Sequence, residues 1–509
     1  MKLNQVKTGA VLSYLLIICN SLYGFLITPY IISSLGDAEY GVYKTIAALA
    51  GTVMVLDVGL GGTVTRYVAK YRATNEEHRI SEFVSMSFLQ ATILCVVIAF
   101  VSIGIVLLVP YTYAKTFTQT QIDKAQLLFA AFALNMLLHV WSGILSGIIT
   151  GHNQFIFSNT VKLLRIFIRA ICVIILLQMC SNALVLVLLD TVVIVVFMVV
   201  ETIYIQKKFP VKIQRTRLDT SLFFESGKYT LLAFLTSMAY QIGGNLDNVV
   251  IGAISGPALV TIYSIGLLIY NMFQNLSMGI AGVMLPTVSK TLENDKNNEN
   301  TTNLIVRVGR AQFILLGAAA TGFICIGKDF INLWIGPDYK DVYLTTIILI
   351  LPAMFELCVN TCLAVLRAKN KTAFFTLVMI LSAALNAAIT ILAVKYWSYL
   401  GAAIGTALSV IVGNLIVMNI YFTKKMELPM IKIYAMILNR IWICLLIAGG
   451  TIFITSRFLN GSWIMLALNV LIFCVIYGVT LWLFGLNRSE KMQIPILKRY
   501  IKKGDLSND

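Results

Sequence analysis

The sequence predicts an all-α polytopic membrane protein of about 14 transmembrane helices: two six-helix lobes related by a parallel repeat, plus an appended C-terminal helix pair. Three observations predict it. The first is composition: of 509 residues, 59% are hydrophobic and 12% charged, and the mean hydropathy is +0.85. A soluble domain carries about 25% charged residues, and no soluble fold of this size hides so much apolar surface. The second is the spacing of apolar runs. The third is a weak internal repeat.

A bilayer-spanning helix needs about 20 mostly apolar residues. Fourteen runs meet that length: 9–33, 42–65, 83–109, 125–149, 160–180, 182–205, 227–250, 258–286, 304–326, 342–366, 373–395, 399–422, 433–455 and 463–486. The first run follows Lys2 and Lys7 and lacks a small-residue cleavage site, so it reads as a retained helix and not a signal peptide. With the N-terminus inside, the inner segments hold 32 of the 39 Lys and Arg, from Arg66, Lys70 and Arg72 to the tail between Arg488 and Lys503. The outer loops hold six (Lys115, Lys124, Lys328, Lys340, Lys395 and Arg457), and Lys44 lies just inside the outer end of the second span. A wrong span count scrambles such an alternation, so the positive-inside bias puts both termini in the cytoplasm. The net charge of +16 follows from this bias, without a nucleic-acid partner. The polybasic tail reads as a positive-inside anchor, with contact to anionic membrane lipids as the alternative.

The repeat pairs Gly36-Asp-Ala-Glu-Tyr-Gly-Val-Tyr43 with Gly256-Pro-Ala-Leu-Val-Thr-Ile-Tyr263. The same offset pairs Gly59 with Gly279, Gly62 with Gly282 and Lys70 with Lys290. Six helices after an inside start return the chain inside, so the two copies share one orientation, a transporter architecture. The expected divisions are an N-terminal lobe at 1–205, a cytoplasmic linker at 206–226, a C-terminal lobe at 227–422, the appended helices at 433–486 and a basic tail at 487–509.

These residues resemble a known family. Leu35-Gly-Asp-Ala-Glu-Tyr-Gly-Val-Tyr43, Leu56-Asp-Val-Gly-Leu60, Arg66-Tyr67, Asn245-Leu-Asp-Asn-Val-Val-Ile-Gly252 and Trp334-Ile-Gly-Pro-Asp-Tyr339 are similar to polysaccharide-biosynthesis and oligosaccharide flippases of the multidrug/oligosaccharidyl-lipid/polysaccharide exporter superfamily, over roughly residues 1–425. The resemblance implies flipping of a polyprenyl-diphosphate-linked glycan by alternating access, without ATP hydrolysis, in a bacterial cytoplasmic membrane. It also implies a monomeric transporter working beside polysaccharide-assembly proteins, with no cofactor and with coupling to H+, Na+ or the membrane potential. A multidrug antiporter and a lipid II flippase are the alternatives in the same superfamily. Against them, the first span carries neither an acid beside Pro29 nor an arginine.

A charge in hydrocarbon costs from about 2.5 to above 10 kcal/mol, so each intramembrane charge needs a reason. Lys162, Arg165 and Arg169 lie on one face of the fifth span at i, i+3 and i+7. Arg169 is about 12 Å deep at 1.5 Å per residue. Such a stripe suits a diphosphate arriving from the cytoplasm, because the guanidinium fork pairs bidentately with phosphate oxygens. A purely structural reading stands beside it: Asp190 on the sixth span lies at nearly the depth of Arg169, and Lys162 and Arg165 can snorkel. Lys44 is the candidate phosphate contact on the release side. Asp57, Glu356 and Asp190 are the candidate coupling carboxylates, with Pro352 expected to kink the helix that carries Glu356. Asn245, Tyr240, Gln241, Asn271, Gln274 and Asn275 are candidate sugar contacts or helix-pairing groups.

Other motifs carry no chemistry. Gly322 to Lys328 has phosphate-loop spacing, but Asp329 follows where Ser or Thr would bind magnesium. The nine cysteines lie almost all in apolar runs, and the three histidines are scattered at 78, 139 and 152, which leaves little room for a metal site. Gly143, Gly147 and Gly151, like Gly401 and Gly405, have the four-residue spacing that lets helices approach closely. The outer loops are too short for a catalytic domain, so no enzyme is expected.

Overall fold

The computed structural model describes residues 2–55, 59–209, 227, 244–293, 298–369, 371–459 and 461–491. Among them there is no β-strand. The helices are α1 Lys2–Leu35, α2 Asp37–Met54, α3 Leu60–Ala73, α4 Glu77–Tyr113, α5 Gln119–Gly151, α6 Phe155–Met179 and α7 Ala183–Lys208. Then come α8 at 244–255, α9 Pro257–Glu293, α10 Glu299–Trp334, α11 Val342–Cys358, α12 Thr361–Ala368 and α13 Thr372–Ser409. A π-helical stretch, Val410–Val417, leads into α14 Met418–Met426, and α15 Met430–Leu438, α16 Ile441–Thr455, α17 Trp463–Thr480 and α18 Arg488–Lys491 complete the chain.

Eight described helices are long and apolar enough to cross a membrane, or ten if the bent pairs α11–α12 and α15–α16 each count as one span. The other predicted runs are also built of helix over their described residues. They are α6, which carries three charges; the pair α2–α3, between which 56–58 lie outside the described residues; the run at 399–422, which follows a reversal at Ser398 (φ 51°, ψ −135°); and the run that ends in α8. Large apolar side chains face outward along these helices, among them Phe100 at 72%, Ile171 at 59% and Leu446 at 64% exposure. Such surfaces suit lipid and not water. The chain is a multi-pass membrane protein.

The described residues form two compact units, 1–268 with 379–406, and 269–378 with 407–509. In the first unit, α5 lies against α2, α3, α4 and α7, while α6 runs along α1. Thr118 and Gln121 close a capping box at the start of α5, and the Asn182 side chain caps α7. Glu39 ties three helix ends together, accepting from Lys124 Nζ at 2.6 Å and from the Ala183 N–H at 2.8 Å. A Cβ on Gly147 would lie 2.7 Å from the Gly61 carbonyl oxygen, so the close approach of α3 and α5 requires glycine there. Gly36 and Gly256, paired by the repeat, both take positive φ (78° and 92°) where a helix begins.

In the second unit α10 is the hub, packed on α11, α15, α16 and α17. Its companions are broken where the sequence does not announce it. Pro352 lies inside α11, and the 48° bend falls after Cys358. With the Gln312 amide oriented to satisfy its neighbours, its nitrogen donates to the Leu357 carbonyl at 3.0 Å and the Cys358 carbonyl at 3.3 Å. A side chain inserted into the carbonyl ladder therefore sets the break. The bend between α15 and α16 has the same cause: Arg310 donates to the Met436 carbonyl at 3.0 Å and the Asn439 carbonyl at 3.1 Å.

Candidate functional site

Two residues of the stripe predicted on α6 form part of the wall of a partly open cavity in the first unit. The cavity, of about 320 Å³, is lined by Arg165 and Arg169 of α6, Asp190 of α7, and Asn135 and His139 of α5, closed by small and apolar residues of α2 such as Ala47 and Gly51. α6 is held in register by α1: Asn159 donates to the Gly9 carbonyl at 2.8 Å and to Ser13 Oγ at 2.9 Å, and the Tyr30 hydroxyl donates to the Ile174 carbonyl at 2.9 Å. On the far side, the Asn135 amide ties α5 to α7 through the Val187 carbonyl at 2.9 Å and Thr191 Oγ1 at 3.0 Å.

The three basic residues differ. Arg169 makes a bidentate pair with Asp190, at 2.5 Å from Nε and 2.9 Å from an Nη atom. Its guanidinium also lies 5.1 Å from the centre of the Tyr23 ring. The pairing weighed in the sequence thus forms. Arg165 lies 5.3 Å from the centre of the Phe197 ring, and its buried Nε has no hydrogen-bond partner. Lys162 is exposed. Facing these two is Glu201, 5% exposed, which interacts electrostatically with Arg165 and Lys162 while its Oε2 accepts no hydrogen bond. Sequence reading missed Glu201. Its signal was present: Asp190 and Glu201 are eleven residues apart, three helical turns, and so share one face of α7.

Lys44 lies two turns into α2, half-buried, with its ammonium 5.3 Å and 5.9 Å from the centres of the Tyr40 and Tyr43 rings. It is within electrostatic reach of Arg169. Asn245 packs against the wall of the cavity, since a Cβ on Gly51 would meet its amide nitrogen at 2.8 Å. Gln274 donates to the Tyr270 hydroxyl at 2.8 Å, a pairing within one helix. Asp57, Tyr240 and Gln241 lie outside the described residues.

Two further carboxylates are buried. In the first unit Asp247, 1% exposed, accepts from Tyr263 at 2.5 Å, Thr406 at 2.6 Å, Thr390 at 3.1 Å and Asn386 at 3.4 Å. This shell joins α8 and α9 to both arms of α13. In the second unit Glu356 accepts from the Asn414 amide at 2.6 Å. Asn414 stands in the π-helical stretch, and its Oδ1 is buried without a partner. A larger cavity, of about 630 Å³, lies where Glu39 and Lys124 meet, and these two charges neutralise each other. Among the described residues no three His, Cys, Asp or Glu side chains are placed to hold a metal ion.

Comparison with known proteins agrees with this architecture. The chain is 23% identical over 484 residues to a protein named "Probable flippase AglR" from Haloferax volcanii, covering 92% of this chain and 94% of that one. Its fold is similar to that of a solved lipid II flippase, MurJ (TM-score 0.71, 14% identity, 93% and 97% of the two chains). It is also similar to an inward-facing multidrug resistance MATE transporter of the MOP superfamily (TM-score 0.62, 14% identity, 83% and 95%). A family profile described as "Polysaccharide biosynthesis protein" matches residues 6–292, more than half of the sequence. The chain therefore belongs to the polysaccharide biosynthesis protein family and has the helical multi-pass fold of MOP-superfamily transporters.

Proposed function

We propose that this protein is a flippase for a polyprenyl-diphosphate-linked oligosaccharide, carrying it from the cytoplasmic to the outer leaflet by alternating access in a bacterial cytoplasmic membrane. The observation that carries this reading is the pair of arginines lining a partly open cavity, one of them with an unused buried donor. A diphosphate offers acceptors in the geometry an arginine fork matches. Arg165 is the first anion contact, reached past the exposed Lys162, and Arg169 the deeper one. The flippase names of the relative and of the fold neighbour support the class of activity. In this reading the lobes at 1–205 and 227–422 alternate about the substrate path, both termini are cytoplasmic, and the tail meets membrane lipid.

For energy coupling, Glu356 suits better than Asp190. Glu356 has a single amide donor in the structure, whereas Asp190 is engaged on both oxygens by Arg169. A carboxylate with few donors changes its protonation or ion occupancy at lower cost than one held in a bidentate pair.

The test is the location of lipid-linked glycan in cells depleted of the protein. Accumulation on the cytoplasmic face, restored by wild type but not by a normally inserted Arg165→Ala variant, is the expected result. Normal surface glycan in depleted cells would overturn the reading.

A further inference from the structure

The stripe of α6 is already occupied by anions of the protein itself. Asp190 holds Arg169 through both carboxylate oxygens, which is the contact a phosphate would make with the same fork. Glu201, three turns away on the same face of α7, lies within electrostatic reach of Arg165 and Lys162. An unloaded carrier needs such groups, because buried arginines without a counter-charge are strongly destabilising.

The neutralisation is incomplete. Three cations of α6, of which Lys162 is exposed, lie within reach of two carboxylates of α7. Arg165 Nε is a buried donor without an acceptor, and Glu201 Oε2 a buried acceptor without a donor. They interact through charge and not through a hydrogen bond, so this half of the stripe opens at low cost. The Arg169–Asp190 half is a closed pair and costs more to open.

We propose that Asp190 and Glu201 are resident counter-anions that the diphosphate displaces on loading and that reclaim the arginines on release. This inference rests on the diphosphate reading above. The order follows from the geometry: the diphosphate first takes Arg165 from Glu201, then Arg169 from Asp190, about 6 Å deeper at 1.5 Å per residue. The carboxylates hold affinity down, as a carrier requires, since a ligand bound without a competitor loads readily and leaves slowly.

The experiment is equilibrium binding of radiolabelled geranylgeranyl diphosphate to the purified full-length protein in detergent, with Asp190→Asn, Glu201→Gln and Arg165→Ala variants. Removing a competing charge next to an arginine is expected to tighten binding, about tenfold for Asp190→Asn and about threefold for Glu201→Gln, each tenfold being 1.4 kcal/mol. Both variants should also export glycan more slowly. Arg165→Ala should weaken binding. Because Asp190→Asn disturbs a closed pair and can fail to fold, Glu201→Gln carries the test alone if needed. Tighter binding in either folded variant supports the inference. Unchanged or weaker binding in every folded carboxylate variant, with Arg165→Ala still defective, overturns it and leaves the diphosphate site standing. Absence of binding to wild type and all variants overturns both.

Discussion

Two intramembrane arginine sites, one in each unit, solve the problem of a charge in the membrane in opposite ways. Arg310 on α10 is 2% exposed. Its Nε donates to Glu490 at 2.6 Å, one terminal nitrogen to the carbonyls of Met436 and Asn439, and the other to the Gly485 carbonyl at 2.7 Å and Glu490 at 3.2 Å. A guanidinium has five N–H donors, and all five are used. Arg165 is half-buried, lies beside the Phe197 ring within electrostatic reach of Glu201, and keeps a buried Nε without an acceptor, while its side chain lines a cavity. The lesson is that an arginine inside the membrane is described by how many of its donors are satisfied as well as by its burial. The two sites differ in donor satisfaction: every N–H of Arg310 is paired and Arg165 Nε is not.

This contrast can be broken at either end. The largest effect is expected at Arg310. Arg310→Met removes the charge that Glu490 and three broken-helix carbonyls rely on, and loss of one partner of a buried pair costs about 3–5 kcal/mol. Thermal unfolding in detergent should show a strongly destabilised protein, and Arg310→Lys should not rescue it, because an ammonium has three donors. Normal stability in both variants would remove the structural reading of Arg310.

The Arg169–Asp190 pair comes next. Each single alanine variant should lose about 1–3 kcal/mol, while Arg169→Met combined with Asp190→Leu should recover stability and still fail in export. Full export by the double variant would make the pair purely structural. Arg165→Ala is the sharper test of the contrast. No hydrogen bond of its Nε is lost, but the buried Glu201 loses its larger counter-charge, so stability should fall by about 1–2 kcal/mol, less than at Arg310, while export falls at least about tenfold, the cost of losing one charge-assisted contact.

Two smaller effects extend the comparison beyond arginine. Glu356→Gln keeps an acceptor for Asn414, so stability should change by less than about 1 kcal/mol. Export by this variant should no longer respond to an imposed ion gradient across proteoliposomes, and an unchanged response would assign coupling elsewhere. Asp247, with four donors and no unused oxygen contact to gain, is the carboxylate counterpart of Arg310. Thr406→Val should cost about 1 kcal/mol of stability with the coupling response intact.

Much of this was legible in the sequence. The apolar runs, the three-residue and four-residue spacing on α6, the depth match of Arg169 with Asp190 and the close-packing glycines all depend on helical periodicity, which is a property of neighbours along the chain. Pro352 illustrates the limit of local reading. Its missing N–H favours a distortion somewhere in α11, but the bend falls after Cys358, where Gln312 of α10 satisfies the freed carbonyls. Glu201 illustrates another: its spacing from Asp190 was visible, but a carboxylate near the end of a span looks like an interfacial charge until α6 is packed against it.

By itself the sequence determined the class of molecule, the helical runs and the face on which each charge stands, because hydropathy and helical spacing are local. Only the tertiary structure decided which charges are used up. Arg310 meets Glu490 across 180 residues, Asp247 meets Thr406 across 159, and Arg165 finds no acceptor for its Nε. Hydrogen bonds act over about 3 Å in space regardless of distance along the chain, so satisfaction of a buried charge is a property of the packed molecule, and here it separates fully paired charges from those with donors or acceptors to spare.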